Sequence, residues 1–138
     1  MVPDLAKIPE DVRELLVTVD GFEKLEVLCR VGSKPGATWT MLEISDGLGM
    51  SPDVLEEPVR ALVVAGLLMR TDDGKLCLAT MNARTAQAVA TLIKLYVDDK
   101  LLVVRAVTQM AMERIRSTAI RTFADAFVIR RKKPEDQS

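Results

Sequence analysis

The chain of 138 residues contains no histidine, only two cysteines and few aromatic side chains. Without histidine it lacks the commonest general base and the commonest zinc ligand. Cys29 and Cys77 do not form a CxxC pair, and we expect both thiols to be buried as small hydrophobic groups. The sequence therefore predicts no metal site and no cofactor.

Long apolar runs are also missing. No run approaches the roughly 20 residues that span a bilayer, and the first residues, MVPDLAKIPED, lack the basic and then apolar segments of a signal peptide. We therefore expect a cytoplasmic protein with no membrane partner. Hydrophobic residues make up 49% of the chain, which favours a folded, helix-rich protein over a disordered one.

Recognisable catalytic motifs are absent from the sequence. No serine or cysteine lies in a nucleophile turn, and no glycine-rich loop precedes a Lys-Ser or Lys-Thr pair. Acidic residues occur in adjacent pairs at 56–57, 72–73 and 98–99, and adjacent residues on a helix do not converge on one site. We expect a non-enzymatic protein without catalytic residues.

The charge is unevenly distributed along the chain. Residues 1–99 hold 10 Lys and Arg against 16 Asp and Glu, a net of −6, whereas residues 100–138 hold 9 against 4, a net of +5. Such asymmetry is typical of proteins with an anionic partner. A solvated helix face followed by a solubilising tail explains the same pattern, and both interpretations remain open.

Apolar periodicity predicts two helices before the first loop. Pro9 to Val19 has a proline and two acids in its first turn and one apolar face, which is typical of a short amphipathic helix. The period resumes at Phe22 and continues to the loop GSKPGA, residues 32–37.

Two further helices follow this loop. Thr40 and Glu43 have the spacing of a capping box, which predicts a helix of about two turns. Ser51 is a suitable N-cap and Pro52 suits the first position of the next helix, which Gly66 should end.

The rest of the chain predicts a β-hairpin and then helices. The stretch LLMRTDDGKLCLAT reads as two short strands around an Asp-Gly turn. Residues 82–130 keep a period near 3.6, with a break expected near Arg116–Ser117, and residues 131–138 should be disordered. We thus expect a mainly α protein with a small β-hairpin, divided into a core at 1–81, a helical extension at 82–130 that packs or dimerises, and a tail at 131–138.

This order of elements resembles the winged helix-turn-helix of bacterial transcription regulators of the MarR, ArsR and PadR groups. The stretch TMLEISDGLGMS is similar to their pattern T-x-x-E-[IL]-[AS]-x-x-L-x-[ILM]-S, and VRALVVAGLLMR to the closing L-x-x-L-x-x-x-G-L-[ILV]-x-R. The resemblance covers about residues 22–80. The stretches DGFEKLEVLCRV and RTFADAF also resemble a set of small, poorly characterised bacterial winged-helix proteins.

The resemblance places the family's DNA contacts on the outward positions of the second helix of the motif, here Asp53, Glu56, Glu57 and Arg60. Phosphates in the major groove repel acids, and acid contacts to bases are among the less common direct readouts. Pro58 lies inside this helix, where it costs about 3 kcal/mol or produces a kink. We therefore expect this helix not to read base sequence.

Two functional hypotheses follow. In the first, the chain acts in bacterial transcription control with weak or indirect contact to duplex DNA, and basic side chains touch phosphates. The candidates are Arg60, Arg70, Lys75, Arg130, Arg131, Lys132 and Lys133. In the second, the scaffold binds no DNA, and Asp53, Glu56 and Glu57 contact a protein partner with a basic surface. The C-terminal helices are candidates for homodimerisation in either case.

Overall fold

A computed structural model of the chain describes residues 7–79 and 82–136, and describes side chains as far as residue 126. In the described residues it has six helices and one antiparallel hairpin, arranged as a winged helix-turn-helix with a C-terminal helical extension. The helices are α1 Glu10–Thr18, α2 Phe22–Gly32, α3 Met41–Leu48, α4 Pro52–Val64, α5 Ala83–Asp98 and α6 Lys100–Asp136; the strands are β1 Leu68–Arg70 and β2 Leu76–Leu78.

The first two helices form where the periodicity predicts them. Pro9 is the N-cap of α1, where a missing N–H costs nothing. Val12, Leu15 and Leu16 make the buried face of α1. Helix α2 contacts α3, α4, α5 and β2, so it lies at the centre of the hydrophobic core.

The helix-turn-helix depends on three local signals. Thr40 and Glu43 form the predicted capping box, with N···O distances of 2.9 and 3.1 Å. Gly49 ends α3 at a φ of 67°, in the left-handed region that favours glycine. The Ser51 hydroxyl then accepts a hydrogen bond from the Val54 N–H at 3.4 Å, which caps α4. The predicted capping box and the predicted N-cap at Ser51 are confirmed.

The wing is the β1–β2 hairpin, in which Leu68 pairs with Leu78 and Arg70 with Leu76. Gly74, at a φ of 81°, makes its turn. A third segment joins this sheet, which the sequence does not predict. Trp39 exchanges two backbone hydrogen bonds of 2.8 Å with Leu76, so the loop before α3 extends the small sheet.

The C-terminal helices differ from the prediction in one respect. The chain breaks at Asp99, not near Arg116–Ser117, because the Asp99 carboxylate accepts a hydrogen bond from the Leu102 N–H at 3.3 Å and caps α6. After this break, Leu101 is exposed, while Leu102 and its neighbour Val103 are buried.

Helix α6 continues further than expected. Its helical backbone includes residues 131–136, for which the sequence predicts disorder, and the last two residues of that predicted tail lie outside the described residues. Within the described residues, no helix combines the length and the apolar character needed to cross a membrane.

Candidate nucleic-acid interface

Helix α4 presents one face to the core and the other to solvent. Leu55, Val59 and Leu62 are fully buried against the core. The outward positions that the resemblance assigns to DNA contact, Asp53, Glu56, Glu57 and Arg60, are all exposed. The structure therefore places these four side chains on one accessible face, as the sequence predicts, and three of the four are acids.

The one cation on this face is already engaged. The Arg60 guanidinium donates a hydrogen bond to the Glu57 carboxylate one turn earlier. This hydrogen bond, with the charge of Glu57, raises the pKa of Arg60 above its usual range. Glu57 offsets the charge that Arg60 would offer to a phosphate, so the face as a whole presents negative charge.

Pro58 does not interrupt α4. The helix runs from Pro52 to Val64 with Pro58 half-buried inside it. Proline removes one backbone donor and crowds the preceding turn, and burial of Leu55, Val59 and Leu62 outweighs that cost. Asp53, Glu56 and Glu57 therefore lie on one continuous helix.

The side chain of Thr71 stabilises the turn at the tip of the wing by hydrogen bonds. Its hydroxyl accepts a hydrogen bond from the Lys75 N–H at 3.0 Å and donates one to the Asp73 carboxylate. The hydrogen bond from Thr71 lowers the pKa of Asp73. The Lys75 Nζ lies 3.7 Å from the same carboxylate. The negative charge of Asp73 therefore partly offsets the charge of Lys75, a candidate for phosphate contact.

Arg70 is the remaining cation on the wing. Its side chain is exposed, and no carboxylate of the described residues forms an ion pair with it. The strand register places it opposite Leu76, beside Lys75 at the tip end of the hairpin. Among Arg60, Arg70 and Lys75, Arg70 is the one whose charge is not paired by a carboxylate of the described residues.

The basic run at positions 130–133 falls on the last turns of α6. Its backbone is helical, and its side chains lie outside those that the structure describes. Val107 is the last buried residue among the side chains of α6 that the structure describes. From there to Arg130 is about 34 Å along the helix axis. The run is therefore far along α6 from the segment that packs in the core.

Arg30, Trp39 and Gly47 form a cluster next to the helix-turn-helix that no sequence pattern predicted. The Arg30 guanidinium lies 5.5 Å from the centroid of the Trp39 ring, within the range of a cation–π contact. Gly47 makes room for it, because a Cβ there would lie 2.4 Å from the Arg30 Nε. The Trp39 indole donates to the Val31 carbonyl at 3.1 Å. This cluster holds Trp39 in position beside the wing. Its only signal in the sequence was a single tryptophan in a loop.

The two cysteines differ in burial. Burial raises the pKa of the Cys29 thiol to about 12, which leaves it protonated at neutral pH. Cys77 is half-buried, not buried as predicted. Within residues 7–79 and 82–126, no three His, Cys, Asp or Glu side chains are grouped so that they could hold a metal ion.

Comparison with known proteins gives one structural likeness. No family model matches the chain, and no curated protein sequence matches it. Among solved structures, the MarR family protein Rv2887 of Mycobacterium tuberculosis is similar to it, with 17% sequence identity and a TM-score of 0.43. The likeness covers 78% of this chain and 82% of that one.

Proposed function

We propose that the chain is a non-enzymatic, cytoplasmic protein of transcription-regulator type that touches duplex DNA through phosphates and does not read base sequence. The observation that carries this proposal is the pairing on α4, where Arg60 is tied to Glu57 and the other outward charges are acids. Arg70 on the wing is exposed and unpaired by the described carboxylates. A wing arginine can follow the backbone of a duplex without entering the groove.

This proposal predicts binding that is weak, sensitive to salt and equal for different sequences. We would titrate the protein into labelled duplex from its own upstream region and into a scrambled duplex, at low and at physiological salt, and measure fluorescence anisotropy. Phosphate contact alone makes the two affinities equal and lowers both as salt rises. Preference for the native duplex at physiological salt would overturn the proposal.

The matched variants are Arg70→Ala on the wing and Arg13→Ala on α1, both at exposed arginines. Loss of one phosphate contact reduces the slope of log affinity against log salt by about one. We expect this change for Arg70→Ala, for both duplexes, and none for Arg13→Ala. The same assay with Arg130 to Lys133 replaced by alanine tests the phosphate contacts predicted for the basic run.

A second candidate function uses α4 as a protein-binding face. Beside Asp53, Glu56 and Glu57, the side chains of Val54 and Val64 are also exposed, so the face combines negative charge with apolar surface. A basic protein surface fits that combination. Under this hypothesis, Glu56→Lys with Glu57→Lys abolishes the protein contact, and Arg60→Ala leaves it intact. An unchanged contact in the charge-reversed variant would count against α4 as the binding face.

The homodimer expected from the resemblance concerns a different part of the chain. The core at 1–81 would supply the DNA or protein contact, and the extension at 82–130 would supply packing and dimerisation. The two roles can be tested separately because they use different surfaces.

A further inference from the structure

A cleft of about 310 Å³ lies between α2, the end of α3 and the start of α6. None of its lining residues belongs to the outward face of α4 or to the wing. Four of them carry a charge or a hydroxyl group: Glu26, Arg30, Ser33 and Lys100. The first three follow one face of α2 to its C-cap, because they are spaced four and three residues apart. The cleft is therefore a polar site built on a helix of the core.

Two neighbours hold the Arg30 guanidinium in place. The centroid of the Trp39 ring lies 5.5 Å away, which makes a cation–π contact. Gly47 presents only its backbone, since a Cβ there would lie 2.4 to 2.7 Å from the Nε, Cζ and one terminal nitrogen of Arg30. A long side chain that is already positioned loses less conformational freedom when a ligand binds. Arg30 is thus prepared for binding.

Arg30 also supplies the unbalanced charge of the cleft. No carboxylate of residues 7–79 and 82–126 forms an ion pair with it. The Lys100 Nζ lies 3.6 Å from the Glu26 carboxylate and 5.3 Å from the centroid of the Tyr96 ring, so Glu26 and Lys100 offset each other. One carboxylate against two cations leaves the lining with a net charge of +1. The planar guanidinium matches the paired oxygens of a carboxylate or phosphate group.

We propose that this cleft binds a small oxyanion, the carboxylate or phosphate group of a small molecule, through Arg30 and Lys100. An ammonium group has three donors, so Lys100 reaches the oxyanion without leaving Glu26. The Ser33 hydroxyl already donates to the Arg30 carbonyl at 2.7 Å, which leaves the recognition of the oxyanion to the two cations. A volume near the lower end of the usual range for ligand sites, about 300–1,000 Å³, suits a small ligand.

The structure provides a reporter for this site. Trp39 is the only tryptophan of the chain, and an oxyanion bound to Arg30 changes the charge beside its ring. The ring is fixed, because the indole donates to the Val31 carbonyl at 3.1 Å and the backbone of Trp39 exchanges two hydrogen bonds of 2.8 Å with Leu76. A change in Trp39 fluorescence therefore reports on the cleft.

The first test titrates the full chain, without DNA, with sodium phosphate and with sodium acetate while Trp39 fluorescence is followed. Sodium chloride keeps the ionic strength constant, because screening alone alters exposed charges. We expect a saturable change with phosphate, with acetate or with both, and which anion gives it identifies the group that the cleft prefers. The absence of a saturable change with either anion would overturn the proposal. If duplex DNA alone gave an Arg30-dependent change, the ligand would be a DNA phosphate and the small-oxyanion proposal would be rejected.

The second test measures the dissociation constant of the preferred anion for four variants by isothermal titration calorimetry, after circular dichroism has shown that each is folded. Arg30→Gln should raise it at least about tenfold, through the loss of a charge-assisted hydrogen bond. Lys100→Gln leaves the contact between Arg30 and Trp39 intact and should raise it about threefold. The controls are Arg13→Gln on α1 and Lys94→Gln on α5, two exposed cations outside the cleft. An equal affinity in Arg30→Gln and Arg13→Gln would overturn the proposal. Neither titration of a small anion contains DNA, so the result stands apart from the phosphate contacts proposed for the wing.

Discussion

The two parts of α6 differ in apolar content and have opposite environments. Five of the six residues at 102–107 are apolar, against seven of the fifteen at 112–126. Between residues 102 and 107 the helix buries Leu102, Val103, Ala106 and Val107 against the core. Between residues 112 and 126 all side chains are exposed. The difference shows that periodicity identifies a helix, whereas burial depends on what the rest of the chain places beside it.

The elements of the core pack against only the first part of α6. Helix α5 runs beside the first turns of α6, and the corner between α1 and α2 reaches it near Arg114. The core should therefore respond strongly to substitutions, and the outer part of α6 weakly.

The largest expected contrast comes from the same substitution in both regions. Ile44, on α3, is 0% exposed, and Ile120, on outer α6, is 63% exposed. Ile44→Ala should lower the free energy of unfolding by about 3 kcal/mol, through lost burial and the cavity that remains. Ile120→Ala should change it by less than about 0.5 kcal/mol. Urea denaturation followed by circular dichroism measures both; similar values would show that outer α6 is packed in solution.

A second prediction concerns Pro58, whose cost to the stability of α4 is outweighed by packing. Pro58 weakens α4, because its ring removes the hydrogen bond to the Val54 carbonyl and crowds that turn. Pro58→Ala should therefore raise the free energy of unfolding by about 1–3 kcal/mol. Glu56→Ala, on the exposed face of the same helix, should have little effect. A destabilised Pro58→Ala would mean that the half-buried proline ring contributes more by packing than it costs the helix.

A third prediction isolates backbone conformation at the end of α4. Gly66 has a φ of 81°, and a Cβ at this position would meet no atom within 4 Å. Gly66→Ala should thus cost about 1 kcal/mol, from the left-handed conformation alone. Gly21→Ala is the control, because Gly21 has a φ of −143°, which alanine adopts freely. Equal stabilities of the two variants in urea would contradict this assignment.

Sequence reasoning predicted the elements whose signals are local. The capping box of Thr40 and Glu43, the N-cap Ser51 and the stop at Gly66 each depend on residues within one turn, and the structure confirms them. The pairing of Trp39 with Leu76 joins residues 37 positions apart, and no pattern near either residue indicates it.

The positions of the candidate site residues could be predicted from the sequence, but which of their charges are paired could not. The outward register of Asp53, Glu56 and Arg60 follows from helical periodicity, and the structure confirms their exposure. Which cations are already paired depends on side-chain conformation, so the sequence could not distinguish Arg70 from Arg60 and Lys75. The break at Asp99 was missed because its cap is a single aspartate within a continuous apolar period.

The smallest expected effect tests the contact that links the two regions. Asp20 binds Lys24 at 2.7 Å and Arg114 at 3.2 Å. Partial burial acts to raise its pKa, but the hydrogen bond from Lys24 and the charges of Lys24 and Arg114 outweigh this, so the pKa is lowered from its usual 3.8. A carboxylate whose pKa is lower in the folded state stabilises the fold above its unfolded pKa, and loses that contribution as the pH falls through the folded value. Asp20→Asn should therefore cost roughly 0.5 kcal/mol at pH 7, a modest value typical of a partly exposed ion pair.

The pH dependence separates this ion pair from a packing effect. The difference between wild type and Asp20→Asn should begin to shrink as the pH falls below about 4, the usual pKa of the carboxyl group. It should vanish once the pH is below the lowered pKa of the folded carboxylate, where Asp20 is neutral in both states. Arg114→Gln removes the tie to α6 but leaves Lys24 in place, so it should cost less than Asp20→Asn at pH 7. Urea denaturation at a series of pH values checks both variants. A difference that persists at low pH would mean that Asp20 holds the α1–α2 corner by its shape and hydrogen bonding, and that its charge does not tie the core to α6.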